Sequence, residues 1–203
     1  MLRNLWNLLR NNREEVIRIK GELCYIRPLV PQDARDLTNL LIRNIDYWTK
    51  FEPRHKGIYY TEYTQQNKIM DSMRLRSVRL EYSCGIYDVE SNALIGQISL
   101  YGIKQLPFSS GFIGYALDER YAGKGIASEA VLLMVHFAFY SLYLNRVEAY
   151  VSPTNIASIR VLEKVGFLQE GLLKQLIYIN GNWEDHYIYA ITASKYKGEP
   201  ENE

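Results

Sequence analysis

The chain has only two cysteines among its 203 residues, too few for a disulfide framework. Cys24 and Cys84 lie in separate strand-like runs, so we expect buried thiols in a reducing compartment. The longest apolar run, 130–140, is interrupted by His136 and is far shorter than the roughly 20 residues that cross a bilayer. The first residues show no continuous apolar segment with a small-residue cleavage site, as a secretory signal would. We therefore expect a cytoplasmic protein without membrane attachment.

Histidine and excess charge are also scarce. The three histidines, His55, His136 and His186, have no partners at metal-ligand spacing, so no metal site is expected. The 24 Lys and Arg against 23 Asp and Glu give a net charge of +1, which does not support general nucleic-acid binding.

Apolar residues make up 47% of the chain, enough for one domain with a sizeable core. We predict a mixed α/β domain over residues 21–194, after an amphipathic extension at 1–20 and before a polar tail at 195–203. Periodicity predicts helices at 32–43, 61–79, 126–140 and 155–164. It predicts strands at 23–29, 82–89, 93–101, 112–117, 146–151, 167–170, 174–179 and 184–192.

The most informative segment is the turn Arg120-Tyr121-Ala122-Gly123-Lys124-Gly125 between a predicted strand and a predicted helix. The first N–H groups of a helix have no internal partners, and the helix dipole is positive at that end. Glycines let the backbone approach a bulky ligand closely, and Arg120 and Lys124 add positive charge. The turn therefore predicts a binding site for a phosphorylated cofactor.

Two common phosphate-binding loops do not fit this segment. A nucleoside-triphosphate loop requires G-x-x-x-x-G-K-[ST], but Lys124 lies between two glycines and no Ser or Thr follows it. A dinucleotide fingerprint requires G-x-G-x-x-G, but Ala127 and Ser128 follow with no glycine in register. What remains is Arg-x-x-Gly-x-Gly between a strand and a helix.

That pattern resembles the pyrophosphate loop of the GNAT acetyltransferase superfamily, which binds acetyl-coenzyme A (acetyl-CoA). Residues 114–119 are similar to the strand that splays from its neighbour in that family to admit the pantetheine arm. Residues 155–167 carry a similar N-x-x-S…GF signature. The resemblance implies an α/β (α+β) fold with a mixed, mostly antiparallel sheet of six to seven strands, about four flanking helices, and strands splayed at the cofactor site.

The resemblance also implies the cofactor-binding residues. They lie on the splayed strand, in the turn and on the later helix: Tyr115, Leu117, Arg120, Tyr121, Ala122, Gly123, Lys124, Gly125, Ile126, Ala127, Asn155 and Ser158.

A narrower resemblance concerns the acceptor. Residues 170–186, with their N-G-N-W-E-D-H ending, and Phe51-Glu52-Pro53 resemble the ribosomal-protein N-terminal acetyltransferases of the RimJ/RimL type. This implies acetylation of the α-amino group of a protein such as a ribosomal protein. A small amine (an antibiotic, a polyamine or an amino-acid derivative) and a non-catalytic acyl-CoA-binding module stay open alternatives, as does a homodimer. The aromatic loop 47–51, with Tyr59 and Tyr60, is expected to wall the acceptor site.

Acetyl transfer to an amine requires a proton acceptor for the ammonium group and a donor for the leaving thiolate. By resemblance, Ser158 is the donor. Some relatives carry a glutamate as the base, but the matching position here is Ile177, which cannot take a proton. Asp185 and His186 are the nearest titratable residues, and we take a water relay ending at Asp185 as the working hypothesis. Weaker candidates are Glu52 and Glu81.

Overall fold

The computed structural model describes residues 18–196. It contains one mixed sheet of eight strands in the order β1-β2-β3-β4-β5-β6-β8-β7, and neighbours are antiparallel except β5 and β6. The strands are β1 Ile19–Lys20, β2 Cys24–Pro28, β3 Tyr82–Asp88, β4 Leu94–Lys104, β5 Ser110–Leu117, β6 Arg146–Val151, β7 Leu168–Ile179 and β8 Asn182–Thr192.

Within the described residues, five α-helices cover the sheet: α1 Ala34–Arg43, α2 Ile45–Trp48, α3 Glu62–Ser77, α4 Ile126–Tyr140 and α5 Ile156–Val165. The predicted fold class is confirmed, with the two-residue β1 as a strand that periodicity did not reveal. Residues 1–17 of the predicted amphipathic extension lie outside the described residues, as does most of the polar tail, and the domain limits stay predictions. No helix in 18–196 is long and apolar enough to cross a bilayer.

The sheet separates two apolar cores. The larger one packs α4 and α5 against one face, with Val131, Val135 and Val147 fully buried. The smaller one packs α1 and α3 against the other face, around Leu40 and Ile69. His136 packs against Tyr140 and Tyr196 at the edge of the larger core.

The parallel strands β5 and β6 pair over only three positions, Ser110–Arg146, Gly111–Val147 and Phe112–Glu148. β5 continues to Leu117 and β6 to Val151 without further pairing between them. The expected splay is therefore present. It leaves the backbone of the second half of β5 without a strand partner on the side that faces β6.

The final hairpin differs from its prediction. Residues 167–170 and 174–179 were expected as separate strands, but β7 is one strand with two register shifts. The larger shift lies between Leu173 and Ile177, where Gln175 adopts a left-handed φ of 49°. Such a bulge interrupts the alternation of side chains, so the periodic pattern breaks although the strand continues.

Candidate functional site

Two cavities lie on opposite sides of β5. The first, which we call the splay groove, has a volume of about 680 Å³ and runs between the aromatic loop, the end of β5, residues 121–128 of the glycine turn and α4, and α5. The second, the side cavity, has a volume of about 440 Å³ and lies between the sheet and helices α1 and α3. Both cavities are lined by Glu52, Tyr115 and Ala116, so they share a wall.

The glycine turn forms one end of the splay groove. Gly123 and Gly125 have φ values of 76° and 84°, which favour glycine. Gly125 is the N-cap of α4 and provides no side-chain cap, so the first N–H groups of the helix are left to an outside acceptor. A Cβ at Gly123 would meet nothing within 4 Å. This open turn therefore fits the pyrophosphate of acetyl-CoA.

The Arg120 side chain makes a contact that the sequence did not predict. Its guanidinium binds Asp118 at 2.7 Å, and Arg43 binds the same carboxylate at 2.8 Å. Asp118 is fully buried, and burial alone would raise its pKa, but the hydrogen bonds and charge of the two arginines hold that pKa below its usual value. Arg120 therefore holds the start of the turn in place through Asp118, outside the lining of the groove. Lys124 lies over the Tyr121 ring at 4.9 Å, and neither cation lines the groove.

The positive charge on the groove comes instead from Lys50, Arg160 and Lys164. The sequence reasoning missed these residues. Arg160 and Lys164 are four residues apart on the helix that begins after Asn155, so helical spacing from that residue was a usable signal. Lys50 gave no such signal, because the fold brings the aromatic loop to the groove.

Three of the predicted residues meet at the middle of the groove. The Asn155 carboxamide oxygen accepts the Ser158 N–H at 3.1 Å and caps α5. The Tyr115 hydroxyl lies 2.8 Å from the Ser158 hydroxyl. Burial raises the pKa of Tyr115 well above its usual range, so the phenol stays protonated. The pair therefore places two neutral hydroxyl groups at the wall between the cavities.

Glu52 reaches the same wall from the aromatic loop. Its carboxylate opens onto the cavities, and the protein around it removes water, which raises its pKa; the charge of Lys68 partly opposes this. The loop is fastened by the Trp48 indole N–H, which donates to the Leu117 carbonyl at 2.9 Å. Glu52 is therefore a carboxylate that lines both cavities, together with Tyr115.

Asp185 lies elsewhere. Its carboxylate accepts the Lys174 ammonium at 2.7 Å and the Gln175 N–H at 2.8 Å, across the bulge in β7. The hydrogen bond from Lys174 lowers the pKa of Asp185. Neither Asp185 nor Ile177 lines either cavity, and His186 is buried with Nδ1 3.2 Å from the Glu184 carbonyl oxygen. The structure does not bring Asp185 together with Ser158.

The tip of the last hairpin holds the aromatic loop in place. The Asn180 carboxamide accepts the Arg54 N–H at 2.9 Å and donates to the Thr49 carbonyl at 2.8 Å. The aromatic residues line different cavities. Those lining the splay groove are Tyr47, Trp48 and Phe51, with Lys50 beside them, whereas Tyr59 lines the side cavity. The aromatic residues expected to wall the acceptor site are thus divided between the two cavities, and their role stays a prediction.

Comparisons with known proteins agree with this geometry. Residues 24–168 match a family described as an acetyltransferase (GNAT) domain. A probable N-acetyltransferase of Bacillus subtilis (strain 168), YjcK, is 41% identical over 173 residues, which are 85% of this chain and 96% of that protein. A ribosomal-protein-S5-alanine acetyltransferase from Vibrio fischeri has a TM-score of 0.83 at 29% identity, covering 91% of this chain and all of that one. Mycobacterium smegmatis RimJ, solved with CoA-disulfide, has a TM-score of 0.80 at 26% identity, covering 88% and 86%.

Proposed function

We propose that this chain, which belongs to the GNAT acetyltransferase family, transfers an acetyl group to the α-amino group of a protein such as a ribosomal protein. Its use of acetyl-CoA as the acetyl donor follows from the family. The identity of the acetyl acceptor is what we propose. With a ribosomal protein as acceptor, the enzyme would act in the cytoplasm.

The observation that carries the proposal is the wall of Glu52, Tyr115 and Ala116 that the two cavities share. One cavity ends in the open glycine turn, which suits a phosphorylated donor. The other lies behind β5 and carries no such turn, so it is the place for the acceptor. The reacting groups would meet at the wall.

Acetyl-CoA supplies an activated acetyl thioester when it is bound. We propose that the N–H groups at 123–127 bind its pyrophosphate and that Lys50, Arg160 and Lys164 offset the phosphate charge. The unpaired edge of β5 near Tyr115 and Leu117 offers backbone groups to the pantetheine amides.

For the proton transfers we propose Glu52 and Ser158. An ammonium group must lose a proton before it attacks, and a carboxylate with a raised pKa is a better match for that task than one whose pKa is lowered. Glu52 meets this condition, whereas Asp185 is held by Lys174 and Gln175. Ser158, hydrogen-bonded to Tyr115, is in place to donate a proton to the leaving sulfur.

Two features favour a protein over a small polycation. The side cavity contains Lys68 as well as Glu52 and Glu81, so its lining is not uniformly acidic. The cavity also opens at Tyr101, which is 38% exposed, onto a row of aromatic side chains. Phe112 stacks on Tyr101 with centroids 5.9 Å apart and lies 5.0 Å from the Tyr150 ring. A row of this kind gives an extended peptide a surface beyond its first residue.

The test is thiol release from acetyl-CoA with a panel of acceptors. It compares short unblocked peptides, the same peptides with a blocked N-terminus, polyamines, aminoglycosides and amino-acid esters. We expect release with the unblocked peptides and none with the blocked ones. Release only with a small amine would replace the proposed acceptor, and acetyl-CoA binding without release for any acceptor would indicate a non-catalytic module.

A further inference from the structure

The floor of the side cavity is made of small and polar residues, where a sheet covered by helices would normally be apolar. Ser83, Ser99 and Gly114 lie opposite one another on β3, β4 and β5 and form one row across the sheet. All three line the cavity. Leu37 and Ile69 on the opposite side are the apolar residues expected there, so the polar row is a local exception.

The hydroxyl groups in this row form a directed chain. The Ser83 hydroxyl donates to the Glu81 carboxylate at 2.6 Å, which uses its only hydrogen. The Ser83 oxygen can then only accept from the Ser99 hydroxyl, 2.8 Å away. The Ser99 hydrogen is used in that bond, so the lone pairs of the Ser99 oxygen remain for a donor in the cavity. Glu81 thus fixes the direction of both hydrogen bonds in the row, although it need not contact the ligand.

The charged and neutral groups of the side cavity indicate which kind of ligand group could donate a hydrogen bond to Ser99. Lys68 lines the same cavity, with its ammonium group 2.8 Å from the Tyr59 hydroxyl. The end of the chain at Ser99 is a neutral hydroxyl rather than a carboxylate, so it offers a cation no opposite charge. A neutral hydrogen-bond donor therefore fits the floor better than an ammonium group does.

We propose that Ser99, oriented by Ser83 and Glu81, reads the first side chain of the acceptor and selects a hydroxyl-bearing residue, Ser or Thr, over Ala. This inference rests on the proposed function, because it assumes that the side cavity receives a protein N-terminus. Ser99 is the residue that contacts the acceptor, and Ser83 and Glu81 are positioning residues. A peptide that begins with Ala would leave the half-buried Ser99 acceptor without a partner.

The experiment measures kcat/KM for two peptides that differ only in a first residue of Ser or Ala. The wild-type enzyme should prefer Ser about tenfold, the size of one net hydrogen bond. Ser99→Ala should bring the ratio close to one, because the Ser peptide loses its hydrogen-bond acceptor and the Ala peptide no longer leaves that acceptor without a partner. Ser83→Ala should reduce the ratio in part, because Ser99 loses its fixed direction. Ser72→Ala is the matched control, since Ser72 lines the cavity outside the chain, and its ratio should equal that of the wild type.

The outcomes separate this inference from the proposed function. Equal rates for Ser and Ala peptides with the wild-type enzyme overturn the inference and leave acetylation of protein N-termini intact. An unchanged ratio in Ser99→Ala also overturns it. Failure to acetylate either peptide, with turnover of a small amine, overturns the proposed function itself. Calorimetry of coenzyme A binding to each variant checks its fold, and the wild-type ratio alone remains decisive if a variant does not fold.

Discussion

The glycine turn allows a test in which the backbone cost and the binding cost can be separated. Gly123 and Gly181 both have positive φ, at 76° and 104°, and a Cβ at either would meet nothing within 4 Å. Gly123 lines the splay groove, whereas Gly181 forms the turn between β7 and β8. Gly123→Glu and Gly181→Glu therefore add the same side chain at the same kind of backbone position.

Both substitutions should cost about 1–2 kcal/mol of unfolding free energy, because a residue with a Cβ is forced into the left-handed region. Only Gly123→Glu places a carboxylate beside the proposed pyrophosphate site. At a separation of ~5 Å and an effective dielectric constant of ~20, one pair of like charges costs about 3 kcal/mol, or more than a hundredfold in affinity.

Calorimetric titration with coenzyme A measures this difference, and urea denaturation measures the shared stability loss. We expect the Kd of Gly123→Glu to rise at least about a hundredfold at low salt and less at high salt, because ions screen the repulsion. Gly181→Glu should stay within about threefold of the wild type. Equal affinities in the two variants would refute the assignment of the turn to the pyrophosphate.

Three further predictions concern the wall and the base of the turn. Ser158→Ala should lower kcat by about a hundredfold with little change in coenzyme A affinity, and an unchanged kcat would remove Ser158 from the proton transfers. The protein atoms around Glu52 displace water and thereby raise its pKa, and Glu52 acts as a base only when ionised. We therefore expect kcat/KM to climb as the pH rises through a value above the ordinary 4.5, and Glu52→Gln should lose that limb; a wild-type profile in the variant would exclude Glu52. Asp118→Asn should cost roughly 2–3 kcal/mol in urea denaturation, because two arginines lose their buried partner. Since the pKa of Asp118 is lowered in the fold, its contribution is present above the unfolded pKa and is lost as the pH falls through the folded one; a variant with the same acid-induced loss of stability as the wild type would contradict this.

The parts of the site that could be predicted are those that local sequence determines. Gly123 and Gly125 are required by the backbone at a strand–helix turn, and Asn155 is a favoured helix cap three residues before the N–H that it accepts. The sequence signal for each of these residues lies within a few positions of the residue itself. The strands on either side follow from the alternation of apolar residues.

The parts that could not be predicted depend on contacts between distant segments. The Asp118 carboxylate that binds Arg120 also binds Arg43, 75 residues earlier in the chain. Glu52 joins the wall because Asn180, 126 residues after Arg54, holds the aromatic loop. No periodic pattern carries information over such separations.

Asp185 is a residue that a motif singled out but that lines neither cavity. Its position two residues after Trp183 resembles a family ending, but the bulge around Gln175 turns its carboxylate to the backbone of β7. A register shift of this kind depends on one residue at positive φ, and Gln175 has no side-chain feature that signals it.

A crystal structure with bound coenzyme A tests the central claim most directly. We expect the pyrophosphate against the N–H groups of residues 123–127, the pantetheine arm in the splay between β5 and β6, and the sulfur near Ser158 and Tyr115. A coenzyme bound in the side cavity, or one that leaves the turn and the splay empty, would contradict the account.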